Sequence, residues 1–251
     1  EIQAGKLRRY FSWQNFVDVL RLGVGLVQAL IHLVRIHPQV VVSKGGFVSV
    51  PVAVAAWVLR IPVVTHESDL TPGLANRIIA CFAKRILFAF EETARYIDPR
   101  KGQWVGTPIR RELFLGDPVL GRQLCGFALD DPRPVLLVIG GSQGSFKLNT
   151  LVFEAAQKLL LKYCVVHIMG ASGMPTVRGT SYASFVFLGE ELRHVLALAN
   201  LVVSRAGANA IFELRALRCP MLLVPLEQGS RGDQVLNSAY FESRGWAQVL
   251  R

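Results

Sequence analysis

The chain is short of charge and of cysteine, and it has no apolar run long enough to cross a bilayer. Charged residues make up 18% of its 251 positions and hydrophobic residues 51%. That balance excludes intrinsic disorder, which needs few apolar and many charged residues. The longest uncharged runs, 22–34, 45–59 and 163–177, do not exceed 15 residues, against the ~20 that a helical span requires. The four cysteines, Cys81, Cys125, Cys164 and Cys219, stand 39 to 55 residues apart, with no C-x-x-C pair. They read as reduced thiols in or near the core of a cytosolic protein, and no metal site is expected. No G-x-x-x-x-G-K-[ST] run occurs, which argues against a P-loop NTPase. No RNA- or DNA-binding module pattern occurs either, so nucleic acid is not an expected partner.

What is present is a net charge of +10, unevenly spread. Residues 1–110 hold 14 Lys and Arg against 7 Asp and Glu, and residues 111–251 hold 14 against 11. A basic first half suits nucleic acid, anionic lipid or a phosphorylated substrate, and composition does not choose among them.

Short, continuously apolar runs alternate with amphipathic segments. The expected strands are 40–43, 62–65, 85–88, 135–139, 164–169, 185–188, 201–204 and 221–224. Runs that are apolar at every position suit parallel strands covered on both faces. The expected helices are 48–60, 73–83, 146–161, 190–198, 208–217 and 234–243. This alternation predicts α/β architecture with doubly wound sheets. A seam rich in Pro and Gly between Gly106 and Pro134 predicts a boundary near residue 115, with domains 1–115 and 116–251.

In such sheets, ligands bind beyond the carboxyl ends of the strands. Five loops there carry chemistry. Gly140-Gly141-Ser142-Gln143-Gly144-Ser145 runs from a buried strand into a helix, a pattern suited to a phosphate approached by backbone N–H groups. The next strand ends His167-Ile-Met-Gly170 without an acidic residue, which argues against a nicotinamide dinucleotide fold. Ser43-Lys44-Gly45-Gly46-Phe47-Val48-Ser49 suits a pyrophosphate or is a plain turn with a solvated lysine. His66-Glu67-Ser68-Asp69-Leu70-Thr71-Pro72-Gly73 is a polar loop facing substrate, or a helix start capped by Asp69 or Thr71. Ser204-Arg205-Ala206-Gly207-Ala208-Asn209 precedes a helix carrying Glu213. That carboxylate either takes both ribose hydroxyls or pairs with Arg215 or Arg218 on the surface. The stretch 224–237 places Asp233, Gln234 and Asn237 at a further strand end.

Together these segments resemble the MurG family of glycosyltransferases. The matching stretches are Lys44 to Pro51, His66 to Asn76, Gly106 to Arg110, Gly140 to Gly144, Ser204 to Gly207, Glu213, and Asp233-Gln234 with Asn237, in the family's order. The resemblance implies a GT-B-like fold, two doubly wound domains facing a cleft, the first truncated and the second short of its C-terminal end. It implies inverting transfer of N-acetylglucosamine from UDP-GlcNAc to lipid I, giving lipid II for peptidoglycan, without a cofactor.

The resemblance also implies roles. On the donor side, Gly141, Ser142 and Gln143 would meet the diphosphate and sugar, and Ala206, Gly207, Ala208 and Asn209 the nucleotide. Glu213 would hold the ribose, Asp233 and Gln234 the sugar hydroxyls, and Gly189 the uracil, with Arg110 nearby. Lys44, Gly45, Gly46, Ser49, His66, Glu67 and Asn76 would form the acceptor side. Two departures stand out. Ser68-Asp69 replaces the Gln-Asn of many members, and the family's first glycine loop, whose histidine is a candidate base, has no counterpart before Val40. The catalytic residue is therefore not assigned. Lipid I implies work at the cytoplasmic face of the bacterial plasma membrane, on an anionic surface. Lys6, Arg8, Arg9, Tyr10, Phe11 and Trp13 mix cationic and aromatic residues as interfacial helices do. The rival readings are a peripheral membrane-binding module without chemistry and another glycosyltransferase that uses a UDP-sugar.

Overall fold

The computed structural model describes residues 13–141, 144–171, 176–227 and 231–250. The chain forms two compact units, divided between Thr107 and Pro108. The division falls inside the Pro/Gly seam but earlier than residue 115. The reason is local: the 3-10 turn Arg111–Leu115 packs on a helix of the second unit.

The first unit runs α1 (Trp13–Ile36), β1 (Val41–Ser43), α2 (Ser49–Val58), β2 (Val63–Glu67), α3 (Leu74–Phe82), β3 (Arg85–Phe88), a 3-10 turn (Glu91–Tyr96) and β4 (Gly102–Trp104). All four strands are parallel, in the order β1-β2-β3-β4. The core collects Ala29 and Leu33 of α1, Ala53, Ala55 and Ala56 of α2, Val63, Ile79, Ala83 and Ile86. Alanines on α2 are small enough to let both α1 and α3 pack against it. Strand β4, Gly-Gln-Trp, was not expected, because it has no apolar run; its backbone pairing with β3 makes it a strand.

The second unit runs α4 (Pro118–Cys125), β5 (Val135–Ile139), α5 (Phe146–Leu160), β6 (Cys164–Ile168), β7 (Tyr182–Phe185), α6 (Leu192–Leu198), β8 (Leu201–Ser204), α7 (Ala208–Ala216), β9 (Met221–Leu223), α8 (Asp233–Ser243) and β10 (Gln248–Val249). The sheet is parallel throughout, in the order β7-β6-β5-β8-β9-β10. Counted from β5 this is the 3-2-1-4-5-6 order of a doubly wound nucleotide fold.

Two expectations need correction. The strand expected at 185–188 lies at Tyr182–Phe185, because pairing with β6 sets its register, Val165 opposite Tyr182 and Ile168 opposite Phe185. Val186 and Phe187, beyond it, are exposed. Within the seam, Asp117-Pro118 starts a helix, not a turn. The Asp117 side chain accepts from the Val119 N–H at 2.8 Å, and proline fits the first helical position. All four cysteines are free thiols. Cys125, Cys164 and Cys219 are buried and Cys81 is exposed, and burial pushes Cys125 up to about 12.

Candidate functional site

The strand order of the second unit reverses direction between β5 and β8, and ligands of open α/β sheets bind at such a reversal. The loops there are Gly140–Ser145 after β5 and Arg205–Gly207 after β8. The first is fixed by close backbone packing. Gly144 has φ +77°, and a Cβ on it would lie 2.3 Å from the Met169 carbonyl oxygen. Gly170 has φ +67°, and its Cβ would fall 2.2 Å from the Gly144 nitrogen. Only glycine fits either position. Gly141 is exposed; Ser142 and Gln143 lie outside the described residues.

Ser145 caps α5, its hydroxyl accepting from the Leu148 N–H at 3.3 Å. One turn on, a buried polar chain ties α5 to the sheet. Asn149 donates its amide to the Met169 carbonyl at 3.0 Å, so its oxygen accepts from Nε2 of His167, also at 3.0 Å. Nδ1 of His167 then accepts from the Tyr182 hydroxyl at 2.9 Å. His167 is thereby a neutral imidazole with both nitrogens used. Burial lowers its pKa to about 4 and raises that of Tyr182 to about 12.

Arg205 spans the crevice floor. Its Nε and Nη2 both donate to the Ser145 hydroxyl, and its Nη1 donates to the carbonyls of Val224 at 3.0 Å and Pro225 at 3.1 Å. Desolvation lowers its pKa.

Helix α7 begins after Gly207 with no side-chain cap, and Ala206 and Ala208 are buried while Asn209 is exposed. Glu213 pairs with Arg110, Nε to Oε1 at 3.2 Å and Nη2 to Oε2 at 3.5 Å. The surface pairing with Arg215 or Arg218 is not what forms; Arg215 stacks on Trp246, 3.3 Å from the ring centroid. Arg110 and Gly189 line one cavity of about 220 Å³ with Glu112, Leu113, Glu190 and Arg193. The Gly189 N–H is taken by the Glu191 carboxylate at 3.2 Å. Asp233 pairs with Arg231 at 2.8 Å, Gln234 accepts from the Leu226 N–H at 3.0 Å, and buried Asn237 donates to the Ala206 carbonyl at 3.4 Å. Of these, Asn237 ties α8 to the loop after β8, while Asp233 and Gln234 bond within the connection between β9 and α8. A larger cavity, about 510 Å³, touches Ala199, Cys219 and Pro220 at the amino ends of β8 and β9. It is on the wrong end of the sheet, so topology outweighs size.

In the first unit, the strand-end loops after β1 and β2 interlock. Lys44 donates to Nδ1 of His66 at 3.2 Å and to the Ser68 hydroxyl at 3.1 Å. Nε2 of His66 donates to the Gly106 carbonyl at 2.8 Å. Both ring nitrogens are engaged and the ring is buried, so His66 here is no free base. Burial lowers its pKa, with Lys44 adding to the effect against the Gly106 bond and Glu67. Lys44 is also lowered, by burial first, against Glu67. Glu67, buried, accepts from the N–H groups of Asp69 and Gly73, each at 3.0 Å, and from the Asn76 amide at 2.8 Å. It organises its loop. Neither Asp69 nor Thr71 caps α3, whose N-cap is Gly73. Asn76 accepts from Thr65 at 3.2 Å, and its amide sits against Gly45, where a Cβ would lie 2.8 Å from Oδ1. Ser49 donates to the Gly45 carbonyl at 2.8 Å. Among the described residues no group of three or more His, Cys, Asp or Glu is placed to hold a metal ion, and no helix is long and apolar enough to cross a membrane.

Sequence reasoning missed Arg205 as a structural residue, and it missed the chain Asn149, His167, Tyr182. The one available signal was His167 itself, a lone polar residue inside an otherwise apolar strand.

Residues 1–88 match the Glycosyltransferase family 28 N-terminal domain, and residues 135–251 match the Glycosyltransferase family 28 C-terminal domain. A Clostridium tetani protein is 46% identical over 253 residues, covering 100% of this chain and 70% of the relative. A Geobacillus kaustophilus protein is 49% identical over 252 residues, covering 99% and 70%. Both are named UDP-N-acetylglucosamine–N-acetylmuramyl-(pentapeptide) pyrophosphoryl-undecaprenol N-acetylglucosamine transferase. Among solved structures, Acinetobacter baumannii MurG aligns with a TM-score of 0.67 at 23% identity, over 93% of this chain and 65% of that one. The glycotransferase of kitacinnamycin aligns at 0.69 and 16%, over 98% and 72%. The UDP-GlcNAc 2-epimerase of Methanocaldococcus jannaschii aligns at 0.59 and 13%, over 92% and 71%. These three share the fold of the two units. On the strength of the near-half identity along its whole length, the chain belongs to the MurG family of glycosyltransferases.

Proposed function

We infer that the chain is the N-acetylglucosaminyltransferase that uses UDP-GlcNAc and lipid I to form lipid II in peptidoglycan synthesis. The observation that carries this reading is the crevice between β5 and β8, where a glycine loop and the start of α5 lie beside a helix bearing Glu213. N–H groups at the start of α5, with its positive dipole end, receive the diphosphate. Glu213, held by Arg110, accepts from the ribose hydroxyls, and the cavity beside Arg110 and Gly189 takes the uracil. For the Gly189 N–H to serve the base, the Glu191 carboxylate must give it up. Asp233 and Gln234 border the sugar.

Transfer is a direct displacement with inversion. The acceptor hydroxyl forms a bond to the anomeric carbon, the bond from that carbon to the β-phosphate oxygen breaks, and UDP leaves while the hydroxyl proton passes to a base. Charge builds on the departing diphosphate, and the α5 N-terminus stabilises it there. On the acceptor side, Lys44, Gly45, Gly46 and Ser49 receive the lipid's pyrophosphate, while His66, Glu67 and Asn76 hold that loop in shape. Because the acceptor is anchored in lipid, we place the enzyme at the cytoplasmic face of the membrane, bound peripherally. Lys6, Arg8, Arg9, Tyr10 and Phe11 lie outside the described residues, as does the side chain of Trp13. A stripe on α1 supports surface contact: Val24, Val27, Ile31 and Val34 recur at helical spacing and are all exposed.

The test is incubation with radiolabelled UDP-GlcNAc and a lipid-linked muramyl acceptor. Label should enter the lipid only when acceptor is present, with inverted configuration. Consumption of UDP-GlcNAc without acceptor would favour the chemistry of the 2-epimerases that share the fold.

A further inference from the structure

We propose that Arg205 is a positioning residue for the donor's diphosphate, acting through Ser145. The inference rests on the donor-site reading above and goes beyond it by assigning how the phosphate-binding end of α5 is held. Arg205 leaves β8 at the strand reversal, and its planar fork ties that loop to two other chain segments at once. Nε and Nη2 converge on the Ser145 hydroxyl, and Nη1 bridges the carbonyls of Val224 and Pro225 just beyond β9. A guanidinium carries five N–H donors in fixed directions, and four hydrogen bonds engage them here. A lysine ammonium cannot reproduce that planar spread.

The consequence falls on Ser145. Its oxygen receives Arg205 from one side and the Leu148 N–H from the other. Both lone pairs are committed, so the only group the hydroxyl can offer a ligand is its own proton. Arg205 thereby makes Ser145 a directed donor at the mouth of the glycine loop. All acceptors of Arg205 are neutral, and it forms no ion pair among the described residues. Its positive charge is left uncompensated beside the place where a diphosphate is expected. The brace also locks the loop after β9, which leads to Asp233 and Gln234, to the loop after β5. One side chain thus sets the spacing between the sugar and phosphate ends of the crevice.

The experiment is isothermal calorimetry with UDP and with uridine on the wild type, Arg205→Ala, Arg205→Lys, Ser145→Ala and the Arg205→Ala/Ser145→Ala double variant. Circular dichroism first confirms folding, and Ser145→Ala, a minimal truncation, keeps the test open if the arginine variants do not fold. UDP affinity should fall at least tenfold in both alanine variants and also in Arg205→Lys, while uridine affinity holds. The double variant should be no weaker than Arg205→Ala alone. Additive losses would show Arg205 touching phosphate independently and overturn the proposal. So would wild-type UDP affinity in Ser145→Ala, or an equal loss of uridine binding. A wild type that does not bind UDP at all would instead defeat the donor-site reading.

Discussion

In the second unit the glycine loop after β5 is held by backbone against backbone, whereas in the first unit the corresponding strand-end loops are held by side chains. Gly144 and Gly170 stack with no room for a Cβ on either, and the sheet behind them reverses order at β5 and β8. In the first unit, Gly46 has φ +88° but open space around its missing Cβ. The order there is sequential, with no reversal among the described strands. Its loops keep their shape because Glu67 collects three donors and Lys44 binds His66 and Ser68. The contrast matches the two proposed ligands. A nucleotide of fixed shape suits a rigid crevice, and a lipid-borne pyrophosphate arriving from a surface suits a charged, hydrogen-bonded rim.

Glycine substitution should separate the two most widely. Gly170→Ala combines a left-handed backbone with a backbone clash, so it should destabilise the second unit by about 2–4 kcal/mol in urea denaturation. Gly46→Ala meets the backbone term alone and should lose about 1 kcal/mol. Similar losses for both would break the comparison.

The buried chain behind α5 gives a pH signature. The His167 pKa falls from 6.5 to about 4 on folding. Between those values the unfolded chain binds a proton that the folded one refuses, so stability is full above pH 6.5 and lost as pH falls toward 4. The shift corresponds to roughly 3 kcal/mol. Hydrogen exchange of β6 amides at pH 7 and pH 4.5 should register this loss, and His167→Phe should remove the pH dependence. An unchanged dependence in that variant would mean that another group sets it.

Much of this architecture was legible because buried parallel strands are apolar at every position. Strands 85–88, 135–139 and 201–204 have the bounds their apolar runs imply. Strand β7 slid because Val186-Phe187 continue the apolar run although pairing with β6 ends at Phe185. Helix α4 hid among prolines, although Asp117-Pro118 is a helix start. Of the candidate site, the glycine loops and Glu213 could be read from local pattern. The partner of Glu213 could not, since Arg110 lies in a different part of the chain and only the fold brings the two together. Arg205 was illegible for the same reason: its role exists only where three loops converge.

The most direct test of the account is calorimetric titration of UDP into the wild type and Glu213→Ala. A carboxylate bonded to ribose contributes about 1.5–3 kcal/mol, so the variant should bind roughly ten- to a hundredfold more weakly, and the wild type should prefer UDP to ADP. Equal affinity of the two proteins for UDP, or a wild-type preference for ADP, would contradict the assignment of this crevice to a uridine donor.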